Sequence, residues 1–254
     1  MKLLSMFLIA SIICGCASTS IPIVFEPIAS PTLTTIYSNG IPIACPSTDS
    51  LSFLLSIDYV KVGRTPYFRL WVLCQNVSQS TLLLEPSRTF TFMTSKRNSS
   101  DQSLTTNIKP ELSANLLSKI EAQQLSQSVV TAIGGALEAA STQNTTISSS
   151  TGATLQVNDA AEKRKTVYRE TSSTLASISN WYDVFKQSIN SGILRKNTLF
   201  PGQSVNGYIY FENQLYSSIN ARSGVFNLED FEYKLQMELP NKVQVIPFVA
   251  IRGE

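Results

Sequence analysis

The amino-acid sequence predicts an α+β protein: an antiparallel β-sandwich interrupted by a long helical hairpin. Three observations predict it. Apolar and polar residues alternate in period two between residues 33 and 95. Between 109 and 195 the period becomes that of a helix, and from about 203 to 251 period two returns. Neither β-segment has enough strands to cover both faces of its central strand. The simplest organisation is therefore one sandwich domain, 33–108 plus 196–254, with residues 109–195 inserted into it; the alternative is two domains joined by a helical linker. Several short strands at regular spacing make the sandwich immunoglobulin-like.

The elements follow in order. Residues 17–32 hold three prolines and no period, which predicts an extended tether or an edge-like segment, because Pro fixes φ and removes a donor. Leu51, Phe53, Leu55, Ile57 and Tyr59 alternate with more polar neighbours, a half-buried strand. After a turn at Gly63-Arg64-Thr65, Phe68, Leu70, Val72 and Cys74 share one face and Tyr67, Trp71 and Leu73 the other. A strand apolar on both faces is a central one. Two short strands flank Pro86. Pro110 and Glu111 then open a helix. Leu112, Leu116, Leu117 and Ile120 form one stripe on it, and Leu125, Val129, Ile133 and Leu137 a second, rotated stripe. Gly134-Gly135 offers a bend or a close helix contact. Residues 141–154, rich in Ser and Thr, predict an exposed, mobile loop. A second helix starts near Asp159, with Glu162 at capping-box spacing. Its stripe is Val167, Thr171, Leu175, Ile178, Tyr182, Phe185 and Ile189. A turn at Pro201-Gly202 leads into a strand with Val205, Gly207, Ile209 and Phe211 inward. The last hairpin alternates Phe231, Tyr233, Leu235, Met237 and Leu239 with polar residues, turns at Pro240-Asn241-Lys242 and returns over 243–251.

The N-terminus gives an address. Lys2 precedes an apolar run, Leu3 to Ile13, that is too short to span a bilayer and reads as a secretory signal. Ile13-Cys14-Gly15-Cys16 resembles the lipobox of bacterial lipoproteins: an aliphatic residue, a variable one, a small one, then the acylated Cys. The resemblance covers about the first 16 residues. It implies that residues 1–15 are a lipoprotein signal peptide and that Cys16 is lipidated, palmitate included, with 16–32 as the tether. Cys14 fits the acceptor position less well, since Ile13 stands where a small residue is wanted. In didermal bacteria of the enterobacterial type, an Asp after the acylated Cys favours inner-membrane retention, so Ala17 implies the outer membrane, on its periplasmic face or at the cell surface. Ordinary signal cleavage is the alternative. The stretch "LFPGQSVNGYIYFE" resembles a turn and strand of exported bacterial β-sandwich proteins and supports the fold only.

Composition agrees with export. The 254 residues are 43% hydrophobic and 15% charged with a net charge of +2, about +1 once Lys2 is removed, so there is no electrostatic footprint for nucleic acid. Of four cysteines, Cys45 and Cys74 remain in the mature chain. In an oxidising compartment they are expected to pair, the alternative being two buried thiols. No histidine is present, which removes imidazole-based triads and zinc sites. No phosphate-binding glycine loop appears. Gly202-Gln203-Ser204 is a turn entering a strand, because its spacing to Gly207 is wrong for a nucleophile elbow. Trp71 and Trp181 read as core residues, or as platforms for a sugar. Asn76, Asn98 and Asn144 match the eukaryotic glycan acceptor pattern, which has no meaning in a bacterial envelope protein.

No catalytic, metal or cofactor site is therefore expected. The sequence points to a lipid-anchored envelope protein with a non-enzymatic binding or structural role and a protein partner. Two alternatives are a surface adhesin or glycan-binding module, with an exposed aromatic cluster, and an enzyme with a carboxylate or Ser-Lys site. Function is expected to concentrate in the helical hairpin, at a docking or self-association surface centred on Val129, Val130, Ile133 and Leu137. Packing of these residues on the sandwich, or contact with a membrane, are the alternatives.

Overall fold

A computed structural model describes residues 23–31, 33–62, 65–96, 106–143, 145–148, 154–157, 159–213, 227–239 and 242–252. The protein is mixed α and β with antiparallel sheets. One sheet holds five strands: β1 (Ile23–Pro27), β14 (Lys242–Arg252), β13 (Phe231–Leu239), β7 (Phe90–Lys96) and β8 (Thr106–Ile108), in that spatial order. The second holds β12 (Ser204–Glu212), β5 (Thr65–Asn76), β4 (Leu51–Val62), β3 (Ile41–Cys45) and β2 (Thr34–Ser38). The two share one core in which Phe25, Phe68, Phe92, Phe211 and Tyr233 pack ring against ring, edge-on between Phe25 and Phe68 and tilted between Phe68 and Phe92, Phe68 and Tyr233, and Phe92 and Phe211, contacts that add to the apolar area they bury. Strands from both flanks of the helical insertion sit side by side, β7 with β13 and β5 with β12.

The local chemistry explains the elements. Asn39 (φ 51°) and Gly40 (φ 77°) close β2 onto β3 with Ser38 opposite Ile41. That is a two-residue hairpin of the kind Asn-Gly favours, since both central residues need positive φ. Residues 23–27, within the stretch read from sequence as an extended tether or an edge-like segment, form edge strand β1 paired with β14, with Phe25 wholly buried. A one-turn helix, α1 (Pro86–Thr89), separates β6 (Leu82–Leu84) from β7. β6 pairs with β11 (Asn197–Leu199).

The insertion consists of α2 (Ser113–Ser141) and α3 (Ala160–Gly192). α2 begins two residues beyond Glu111, after Pro110 and an extended Leu112. The segment 141–154, expected as a mobile loop, contains β9 (Thr145–Ser148), which pairs with β10 (Thr154–Val157) starting at its last residue; β-branched Thr145, Thr146 and Ile147 suit a strand more than the polarity of the segment suggests. Asp159 caps α3 without a side-chain hydrogen bond to the backbone, and its carboxylate pairs instead with Lys163 at 2.8 Å. The expected turns at 63–64 and 240–241, together with Asn98, Asn144, the signal segment and Cys16, lie outside the described residues.

Register defines one end of the molecule. Ile23 lies opposite Arg252 and Phe231 opposite Lys96. In the other sheet Val62 lies opposite Thr65 and Glu212 opposite Tyr67. Phe25, two residues into β1, stands 5.8 Å from Phe68. The start of β1, the β4–β5 turn and the end of β12 therefore share one end of the paired sheets.

Candidate functional site

The helical hairpin is clamped at its base to the outer face of β5 and β12. Tyr67 and Tyr210, which point away from the main core, form a second cluster with Leu116, Ile120, Tyr182, Ile189 and Ile193. This explains the two apolar faces of β5. One fills the core shared by the two sheets; Tyr67, on the other, is fully buried beneath the helices, whereas Trp71 and Leu73 are only half covered. Where α3 ends, Ile193 bridges Tyr208 in parallel and the Leu194 amide donates to the Tyr208 carbonyl at 2.8 Å. Residues 192–194 thus cover the free edge of β12. Gly207 permits it: a Cβ there would stand 2.9 Å from the Leu194 nitrogen and 3.0 Å from the Gly192 oxygen.

Polar groups complete the clamp. The Lys119 ammonium donates to Glu212 at 2.6 Å and to Glu111 at 2.9 Å. Burial works against its charge, but the bonds to Glu212 and Glu111 outweigh it and hold the ammonium above the usual lysine range. Burial pushes the neighbouring Tyr67 phenol up to about 12, with Lys119 opposing. On the same sheet face Arg69 pairs with Asp58, which raises its pKa, and its guanidinium lies 4.7 Å from the Tyr208 ring centroid. Gln123 Nε2 donates to Thr65 Oγ1 at 3.2 Å, at the end defined above.

Beyond Gln123 the α2–α3 seam is built from small and polar residues on the α2 side. The Tyr182 hydroxyl donates to Gln127 at 3.1 Å and Lys186 to Gln124 at 3.2 Å. Gly135 and Ala139 are buried. A Cβ on Gly135 would lie 2.2 Å from Thr171 Oγ1, so Gly135 marks close helix contact, whereas Gly134 meets nothing within 4 Å, and α2 runs through both unbroken. On α3 the predicted stripe, from Val167 to Ile189, is the covered side.

The apolar residues of α2 are on the opposite side. Val129 is 47% exposed, Ile133 55%, and Leu125, Val130 and Leu137 each 66%. At 100° per residue their centre lies roughly opposite Gln124 and Gly135, which meet α3. The structure thus leaves the four residues singled out from sequence in solvent and off the strands. Beside them, Trp181 is 52% exposed, not a core residue, and its ring stacks on Phe185 at 5.1 Å and 20°. It borders a groove of about 640 Å³ with Gln123, Ser126, Gln127, Val130, Thr131 and Tyr182.

The expected disulfide is corrected. Cys45 and Cys74 are both free. β4 runs between their strands, with Ala44 opposite Leu55 and Phe53 opposite Cys74. Two strand spacings put the Cα atoms about 10 Å apart, beyond the roughly 7 Å a bridge allows. Cys74 also points into the core alongside Ala44, so Cys45, the next residue on β3, faces the other way. Asn76 is fully buried, with hydrogen bonds from Nδ2 to the Ser80 and Leu199 carbonyls and to Oδ1 from the Ser78 amide and hydroxyl. It is a structural clamp and offers no amide for a glycan.

Among the described residues no cluster of three or more Cys, Asp or Glu could hold a metal ion, and no helix is long and apolar enough to cross a membrane. No family model, no curated protein and no solved structure matches this chain.

Proposed function

We propose that this chain is a lipid-anchored bacterial envelope protein of the outer membrane with a non-enzymatic binding role. In this reading an immunoglobulin-like sandwich carries a projecting helical hairpin, and the exposed face of α2 is the binding surface. The observation that carries it is the inverted arrangement of α2. Helices ordinarily turn their apolar stripe inward, yet Leu125, Val129, Val130, Ile133 and Leu137 face solvent while Gln124, Gln127 and Gly135 meet the partner helix. Contiguous apolar surface of this kind marks interaction sites. Two antiparallel five-stranded sheets around one core support the immunoglobulin-like assignment, and the Ile13-Cys14-Gly15-Cys16 motif supports the anchor.

Two measurements test this. Mass spectrometry of the mature N-terminus is expected to find acylated Cys16, and metabolic lipid label is expected to disappear in Cys16→Ser; a free Ala17 or Ser18 terminus sinks the anchor. A photo-crosslinking amino acid placed at Ile133 in cells is expected to form an adduct, to protein or lipid, that is lost when Leu125 and Leu137 become Asp. Absence of any adduct sinks the binding surface.

The groove beside Trp181 favours a second reading, a glycan-binding module. An exposed indole stacked on Phe185 next to the amides of Gln123 and Gln127 offers a sugar both a flat apolar face and hydrogen bonds. Titration of envelope oligosaccharides against Trp fluorescence checks it, and an unchanged signal in wild type and Trp181→Ala alike discards it.

A further inference from the structure

The hairpin and the start of β1 belong to the same end of the molecule, and this points to what covers the exposed α2 face. β1 starts at the end marked by Ile23 opposite Arg252. α2 approaches that end along the sheet: the Glu111 amide bonds to the Tyr210 carbonyl, Lys119 reaches Glu212, and Gln123 reaches Thr65 beside the β4–β5 turn. From Gln124 to Ser141 the helix continues past that end for about 27 Å at 1.5 Å per residue. The chain from Cys16 to Ile23 spans at most about 25 Å. An acyl anchor on Cys16 therefore holds the leaflet within about 25 Å of the start of β1, a distance comparable to the length of the projecting hairpin.

The surface chemistry of the hairpin matches that neighbour. Residues 122–137 contain no Asp, Glu, Lys or Arg, and the exposed side chains among them include Leu125, Val129, Val130, Ile133 and Leu137. The first half of α3 exposes Glu162, Lys163, Arg164, Lys165, Arg169 and Glu170. As a unit the hairpin is apolar on its α2 side and charged along α3. A two-faced element with low net hydrophobicity lies in the headgroup–acyl boundary and does not span it, in keeping with a helix too polar to cross. A second copy is a poorer occupant. A strip one helix wide and about 27 Å long offers well under the roughly 800 Å² per partner of a stable interface.

We propose that the α2 face of the hairpin docks on the lipid leaflet that holds the Cys16 anchor, with the charged part of α3 turned toward water. The inference rests on the lipid-anchored reading above. The contact is apolar, since no cation lies on the docking face, so it does not depend on anionic lipid or low salt.

The test uses the full lipidated protein in proteoliposomes of phosphatidylethanolamine, with and without phosphatidylglycerol. Trp71 and Trp181 are the only tryptophans and are replaced by Phe. A single indole is then placed by Ile133→Trp, or by Ser173→Trp on the exposed side of α3. Lipids brominated in the acyl chain are expected to quench the Ile133→Trp signal about threefold more than the Ser173→Trp signal, as burial below the headgroups demands. The ratio is expected to survive added salt and removal of phosphatidylglycerol, and to fall to about one when Leu125 and Leu137 become Asp. Equal quenching at the two positions overturns the proposal, as does quenching that needs anionic lipid, or a strip-dependent cross-link to protein or to a second copy. Lipid label on Cys16 is read on the same samples, so loss of the anchor reading shows as unlabelled protein whatever the quenching ratio. Circular dichroism of each variant excludes unfolding as the cause.

Discussion

Asn76 ties the loop after β5 to the start of β12 through four side-chain hydrogen bonds, and its backbone bonds to Gln203 and Gly202. Asn76→Ala removes the side-chain donor to the Leu199 carbonyl and the acceptor of the Ser78 amide. A buried group without its partner costs about 1–3 kcal/mol, so this substitution is expected to lower stability by about 2–4 kcal/mol. Urea unfolding checks it, and an unchanged midpoint would falsify the clamp. The two thiols are equally specific. Burial pushes Cys74 up to about 12 and raises Cys45 less strongly, since Cys45 is only partly covered. Alkylation of the native mature protein is expected to modify Cys45 first and Cys74 only on unfolding. Simultaneous modification, or a mass two hydrogens light that a reductant restores, counts against the free, inequivalent pair.

At the scale of elements, the crossing of residues 192–194 over β12 depends on Gly207. Gly207→Ala places a methyl group about 3 Å from three backbone atoms of that segment, and backbone cannot rotate away as a side chain can. The change is expected to cost about 2–3 kcal/mol and to speed hydrogen exchange at the Leu194 amide, which bonds to Tyr208. Gly202→Ala, which meets nothing within 4 Å but has φ of +77°, provides a contrast: it is expected to cost only backbone strain of about 1 kcal/mol and to leave exchange at Leu194 unaltered. Equal exchange in both variants removes the packing role of Gly207. The same element-level logic explains Gly135, where the missing Cβ lets Thr171 approach.

For the molecule as a whole, the burial of Tyr67 and Cys74 sets an alkaline limit. Both groups are pushed up to about 12, from ordinary values of 10.0 and 9.0. Between about pH 9 and 12 the folded protein keeps protons that the unfolded chain gives up, so stability falls as pH rises through that window and is fully present below it. The midpoint of urea unfolding is expected to drop progressively from pH 8.5 to 11.5, values on the order of those two shifts. A Tyr67→Phe variant is expected to show a shallower decline. A flat profile in the wild type contradicts the burial of these groups.

The sequence alone determined the periods. Alternation at 51–59, 67–75 and 231–239 follows from strands with one face in a core, and the stripe from Val167 to Ile189 from a helix with one covered side; the structure has all of them. The Asn39-Gly40 hairpin went unread, because its apolar residues Ile36, Tyr37 and Ile41 are exposed and do not read as half of a core. Periodicity records that a face is apolar and is silent about what covers it. Only the tertiary structure decided that Tyr67 lies under the hairpin, that β4 separates Cys45 from Cys74 and that Trp181 is exposed. It also decided that α2 meets α3 through Gln124, Gln127 and Gly135 and leaves Ile133 and Leu137 in solvent. Each of these depends on which segments become neighbours across long stretches of chain, and local pattern does not encode that.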